Sequence, residues 1–119
     1  MDAQWFVVAS QKTITIFAET KKRKKLESIR TFENPIAEEA SLIPFAKDLV
    51  HYLDREYQLK HFKTLTIAAE PHFLGKIREV MKPQLEKLVV HWIRKDLQKI
   101  PQIELPMHIL LDGAETHTV

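Results

Sequence analysis

Apolar and polar positions alternate along this chain at two different periods, and the switch between them marks out its elements. Leu65-Thr66-Ile67-Ala68-Ala69 is short, apolar and unpunctuated. Such a run suits a strand buried on both faces. Glu70-Pro71 stops it, because proline cannot donate to a sheet ladder but fits the first turn of a helix. Leu74, Ile77 and Met81 follow at helical spacing. Pro83 opens a second short turn, and Leu88–Ile93 reads as another strand. The stretch is a β-α-β unit, whose strands should run parallel with a right-handed crossover.

Upstream, Gln4–Ala9 carries Trp5, Val7 and Ala9 on one face and Phe6 and Val8 on the other, the pattern of a central strand. Ser10-Gln11-Lys12 connects it to Thr13–Glu19, where Ile14, Ile16 and Ala18 share a face. The pair predicts an antiparallel hairpin, without an Asn-Gly or Asp-Gly turn. After the turn Thr20–Lys25, Leu26–Phe32 is mixed in polarity and suits an edge strand. Asn34-Pro35 opens a loop. From about Ser41 to Gln58, Leu42, Phe45, Ala46, Leu49, Leu53 and Tyr57 form one helical stripe, with Pro44 expected in the first turn. Asp96 is expected to cap a helical turn, and a last short helix is expected around Leu105–Leu111, with Pro106 near its start.

This order predicts one α/β (α+β) domain over residues 1–111 and a flexible tail over 112–119. Three meandering strands come first; the fourth should lie beside the first and parallel to it, with the fifth outside. The expected sheet order is 3-2-1-4-5, with three main helices on its faces. Trp5, Val7, Ile16, Leu49, Leu53, Ile67, Leu74, Ile77, Val90 and Ile93 should form the core. Gly75 falls inside a helix, where it costs about 1 kcal/mol against alanine. Close helix–sheet packing is the expected compensation.

Charge and composition narrow the function by exclusion. The formal charge is +2 over 119 residues, too small to imply a nucleic-acid binder by itself. There is no cysteine, so disulfides, thiolate nucleophiles and Cys-based zinc sites are excluded. That suits a cytoplasmic setting. The N-terminus lacks the pattern of a secretory signal, and no apolar run is long enough for a membrane span. Gly75 and Gly113 are the only glycines, which excludes a Gly-rich phosphate loop. His51, His61, His72, His91, His108 and His117 form no HExxH pair. No serine stands in a nucleophile-elbow context. No catalytic residue is assigned and no cofactor is expected.

Two charged features remain. Lys21, Lys22, Arg23, Lys24 and Lys25 are five consecutive cations, able to meet phosphate on RNA or simply to be solvated. Glu70 and Asp96 each follow a parallel strand, at the end of an open sheet where ligands collect. Together they could hold a divalent metal. Each also precedes a helical segment, where an acid caps backbone N–H groups, and capping is the preferred reading.

Several stretches resemble the bacterial host attachment protein family: Trp5–Ala9, Glu33-Asn34-Pro35, Phe45–Leu49, Leu65–Arg78 with Pro71-His72-Phe73-Leu74-Gly75-Lys76-Ile77-Arg78, and Lys95-Asp96-Leu97. That family is similar to the middle domain of class-one peptide release factors, so the resemblance implies a ribonuclease H-like fold. The chain departs from it in the Ser10-Gln11 turn, the short loop after the third strand, and Pro106. It has no Gly-Gly-Gln tripeptide with which release factors promote hydrolysis. The resemblance implies a non-enzymatic cytoplasmic interaction domain contacting ribosomal RNA or a protein partner. The alternative is a degenerate metal-dependent phosphodiesterase or nuclease using Glu70 and Asp96. A homodimer through an exposed sheet edge is a third possibility.

Overall fold

The computed structural model describes residues 3–19 and 26–108. Its centre is β1 (Gln4–Ala9), flanked by β2 (Thr13–Glu19) and β4 (Thr64–Ala69). β3 (Leu26–Glu33) and β5 (Val89–Ile93) form the two edges, giving the order β3-β2-β1-β4-β5. β1 pairs antiparallel with β2 and parallel with β4, and β4 pairs parallel with β5. This is the expected mixed sheet and the ribonuclease H-like strand arrangement. The basic residues Lys21–Lys25 and the tail from residue 109 lie outside the described residues.

The main helices are α1 (Glu39–Gln58), α2 (Pro71–Val80) and the single turn α3 (Pro83–Glu86). α1 starts two residues before Ser41 because Glu38 and Ser41 bond to each other. Ser41 Oγ accepts from Glu38 N at 3.1 Å, and Ser41 N donates to Glu38 O at 3.0 Å. Pro44 therefore lies in the second turn instead of the first, and cannot donate to the carbonyl of Ala40. At the other end, Lys60 N bonds Tyr57 O and His61 N bonds Glu56 O, at 2.8 and 3.0 Å. These are the two bonds of a Schellman ending, and Lys60 takes the left-handed conformation, φ 62°, that it requires.

Both longer helices pack on one face of the sheet. There Trp5, Val7, Ile14, Ile16, Leu65, Ile67 and Trp92 meet Leu42, Leu49, Leu53, Leu74 and Ile77. The other face carries Phe6, Val8, Phe17, Ala68 and Ile93, and is covered by the segment after β5. Leu97 and Leu105 supply its apolar contacts. Gln98 Nε2 donates to Val8 O and Thr13 O at 2.6 and 3.1 Å, and Gln102 Nε2 to Leu26 O at 2.7 Å. The segment thus fastens across the sheet from β1 to the start of β3. It contains the 3₁₀ turn Gln102–Glu104, and residues 105–108 are helical. Asp96 does not begin a helix: Ile100 N bonds Leu97 O at 3.1 Å in an isolated turn.

Two core expectations fail for local reasons. Val90 is 40% exposed. Leu65 pairs with Val89 and Thr66 with His91, so Val90 is the extra residue of a bulge on an edge strand. Gly75 lies on the solvent side of α2, and a Cβ there would touch nothing within 4 Å. Close packing is not what places a glycine at that position.

Candidate functional site

The carboxyl ends of β1, β4 and β5 lie at one end of the sheet, and a polar network joins them. Glu70 follows β4 and caps α2. Its Oε1 accepts from Phe73 N at 3.0 Å and from Gln11 Nε2 at 2.9 Å, while Oε2 accepts from His72 N at 2.9 Å. Burial raises the Glu70 pKa, but these three hydrogen bonds and the charge of His72 outweigh it and hold the carboxyl below its usual value. Asn34 Nδ2 donates to Gln11 O and Ser41 Oγ, both at 3.0 Å, tying the first hairpin to the start of α1. His72 Nε2 meets Glu39 Oε1 at 2.7 Å and Lys76 Nζ meets Glu39 Oε2 at 3.2 Å. The His72 hydrogen bond, then that of Lys76, keeps Glu39 ionised below the ordinary range, against a small burial effect.

Asp96 follows β5 at the same end and is exposed. Its Oδ1 accepts from Gln98 N at 3.0 Å, which sets the turn that delivers the Gln98 side chain to β1 and β2. Glu70 and Asp96 are therefore brought to one end of the sheet as expected, and each serves the backbone just after it. Among the described residues no group of three His, Asp or Glu side chains could hold a metal ion. The opposite end carries Glu19 and Leu26, the chain positions that flank the basic run. Strands of this length separate the two ends by about 20 Å.

A second concave surface has no counterpart among the sequence motifs. Arg30, Phe32, Asp48, His51, Tyr52 and Arg55 line a groove of about 440 Å³ between β3 and α1. The Arg30 guanidinium lies 4.8 Å from the Phe32 ring centroid and 5.2 Å from that of Tyr52. Those rings meet edge to face at 5.5 Å. Burial first, then the charge of Glu56, raises the Tyr52 phenol above its usual pKa, while Arg30 and Arg55 oppose the shift. The sequence held one signal of this surface. Asp48, His51, Tyr52 and Arg55 recur at three- and four-residue spacing beside the apolar stripe. Their neighbour Arg30 lies on an element that only the fold brings near.

A family model described as "Protein required for attachment to host cells" matches residues 38–109. That span covers α1, β4, α2, α3, β5 and the described part of the segment after it. A search of the curated proteins finds no match. Among solved structures, the type II variant of the Aquifex aeolicus Ppx/GppA phosphatase is similar with a TM-score of 0.48 and 11% identity. The similarity covers 75% of this chain and 35% of that one, so the chain spans about a third of that protein. No helix among the described residues is long and apolar enough to cross a membrane.

Proposed function

The chain belongs to the family of proteins required for attachment to host cells, and on that premise we propose that it is a non-enzymatic interaction domain. The observation that carries this reading is the way Glu70 is engaged. It is the carboxylate best located for metal chemistry at the strand ends, yet both its oxygens accept N–H groups that α2 and the first hairpin would otherwise leave unpaired. Asp96 is likewise turned onto Gln98 N. Drawing either acid toward a metal would uncover backbone donors. A binding domain has no such conflict, because a rigid sheet end supports surfaces elsewhere. The cysteine-free sequence agrees with action in the cytoplasm.

Calorimetric titration with Mg²⁺ and Mn²⁺, paired with hydrolysis of bis(p-nitrophenyl) phosphate, tests the reading. The expected outcome is no saturable heat and no turnover above buffer. Metal binding and turnover that both vanish in Glu70→Gln and Asp96→Asn would overturn it in favour of a metal-dependent phosphodiesterase.

A further inference from the structure

β3 ends the sheet, so one side of its backbone has no strand partner among the described residues. The register identifies the outward groups. Asn34 N donates to Lys12 O at 2.8 Å, and pairing continues through Thr13↔Glu33, Ile14↔Phe32, Thr15↔Thr31 and Ile16↔Arg30. Bonded and non-bonded pairs alternate along an antiparallel ladder. The N–H and C=O of Phe32 and Arg30 therefore face β2, and those of Thr31 and Glu33 face outward. Ile16 pairs with Arg30 and Phe17 with Ser28, which makes Ile29 a bulge. The bulge breaks the edge and leaves Arg30–Glu33 as its pairable stretch.

The groove between β3 and α1 runs along this stretch. Side chains alternate between faces, so Arg30 and Phe32 point toward α1 while Thr31 and Glu33 point away. Arg30 and Arg55 make no ion pair among the described residues. Asp48 is the one acid among the described lining residues, against Arg30, Arg55 and His51. The Arg30 guanidinium carbon lies over both the Phe32 and the Tyr52 ring, which holds the cation at the groove, where its N–H donors can meet an acceptor.

We propose that this edge binds an extended acidic peptide segment of a partner protein. The segment adds as a strand along Arg30–Glu33 and sets a carboxylate against Arg30 and Arg55. Backbone pairing supplies affinity and the side-chain groove supplies selectivity, as in other strand-addition sites. Residues of the segment facing α1 are acidic, and the residue opposite Glu33 is uncharged or basic. RNA fits this surface less well. The guanidinium already lies over Phe32 and Tyr52, so those faces offer no platform for a base. A second copy of the chain fits less well too, because its own pairable stretch Arg30–Glu33 would present Arg30 and Phe32 to the groove, cation against cation. The inference rests on the interaction-domain reading and adds the partner's chemistry and location.

Panning a random-peptide display library on the intact chain tests the proposal. Enriched sequences should carry Asp or Glu at alternate positions between β-branched residues. A selected peptide should perturb the amide resonances of Thr31 and Glu33 first. Thr31→Pro removes an outward N–H without touching the groove, and should weaken binding by about tenfold or more. Arg30→Glu should reverse the preference toward basic peptides, and it serves as the independent variant if Thr31→Pro does not fold. Acidic peptides that bind both variants unchanged would overturn the site while leaving the interaction-domain reading intact. Selection of no acidic peptide, or tighter binding of an oligouridylate than of any peptide, would overturn the proposed partner class. A dimer in sedimentation that Thr31→Pro dissociates would assign the edge to a second copy instead. Metal-dependent turnover would remove the underlying reading itself.

Discussion

Gly75 sits in the middle of α2 with open space where a side chain would be. Glycine loses more backbone entropy on folding than alanine, and here no packing offsets the loss. Gly75→Ala should raise stability by about 0.5–1 kcal/mol in urea unfolding at constant m-value. A decrease would show that the position needs glycine in some state other than this one. Glu70 gives the contrasting case, a residue held by three donors. Its folded pKa lies below the ordinary 4.5. A depressed carboxylate contributes stability above its unfolded pKa and loses it as the pH falls through the folded value. Glu70→Gln should therefore be less stable near neutral pH by about 0.5–1 kcal/mol, the low end for a missing cap at a partly solvated site. That difference should shrink as the pH falls below 4.5. Thermal unfolding of both proteins between about pH 3 and 7 measures it, and parallel curves would deny Glu70 its electrostatic part.

At the level of elements, α1 is the test of how the domain coheres. Leu42, Leu49 and Leu53 are fully buried against the sheet. Leu53→Ala removes buried methyl groups from a site bounded by β-strands, and should cost about 2–5 kcal/mol in chemical denaturation. Val90, also expected in the core, is instead the bulged residue of β5. Val90→Ser should change stability by no more than about 0.5 kcal/mol. Period alone separates the two poorly. Leu53 belongs to a long stripe whose neighbours reinforce one another, whereas Val90 lies in a run of five strand residues where one extra residue reverses every later side chain. The same reasoning explains the start of α1. Ring chemistry alone places Pro44 in a first turn, and the reciprocal Glu38–Ser41 bonds move that turn upstream.

At the scale of the whole molecule, charge and topology combine. Glu70 and Asp96 lie at one end of the sheet, and β2 ends and β3 begins at the other. That separation exceeds the screening length of about 8 Å at physiological salt. Replacing Lys21, Lys22, Arg23, Lys24 and Lys25 by serine should leave unfolding unchanged and weaken any association with RNA or the ribosome. If the partner is RNA, the salt dependence should flatten by about 0.7–0.9 in slope for each phosphate no longer neutralised. Affinity measured across a salt series reads this directly, and an unchanged slope would leave the run as a solvated segment. The strand order was legible beforehand because three meandering strands before a β-α-β unit leave few unknotted, right-handed ways to build one sheet. The cap at Glu70 was legible because Glu-Pro ends a strand and starts a helix within two residues. Which face each helix covers was not, since Trp5–Ala9 is apolar on both sides and accepts either. The groove was not, because Arg30 and Tyr52 are 22 positions apart in the sequence. By itself the sequence determined features set by neighbours along the chain: the main elements, the cap at Glu70 and the order of the strands. Only the tertiary structure decided the bulges at Ile29 and Val90, the strap across the second face, and the placing of Arg30 over two aromatic rings. Those depend on contacts between distant segments, whose geometry no local period encodes.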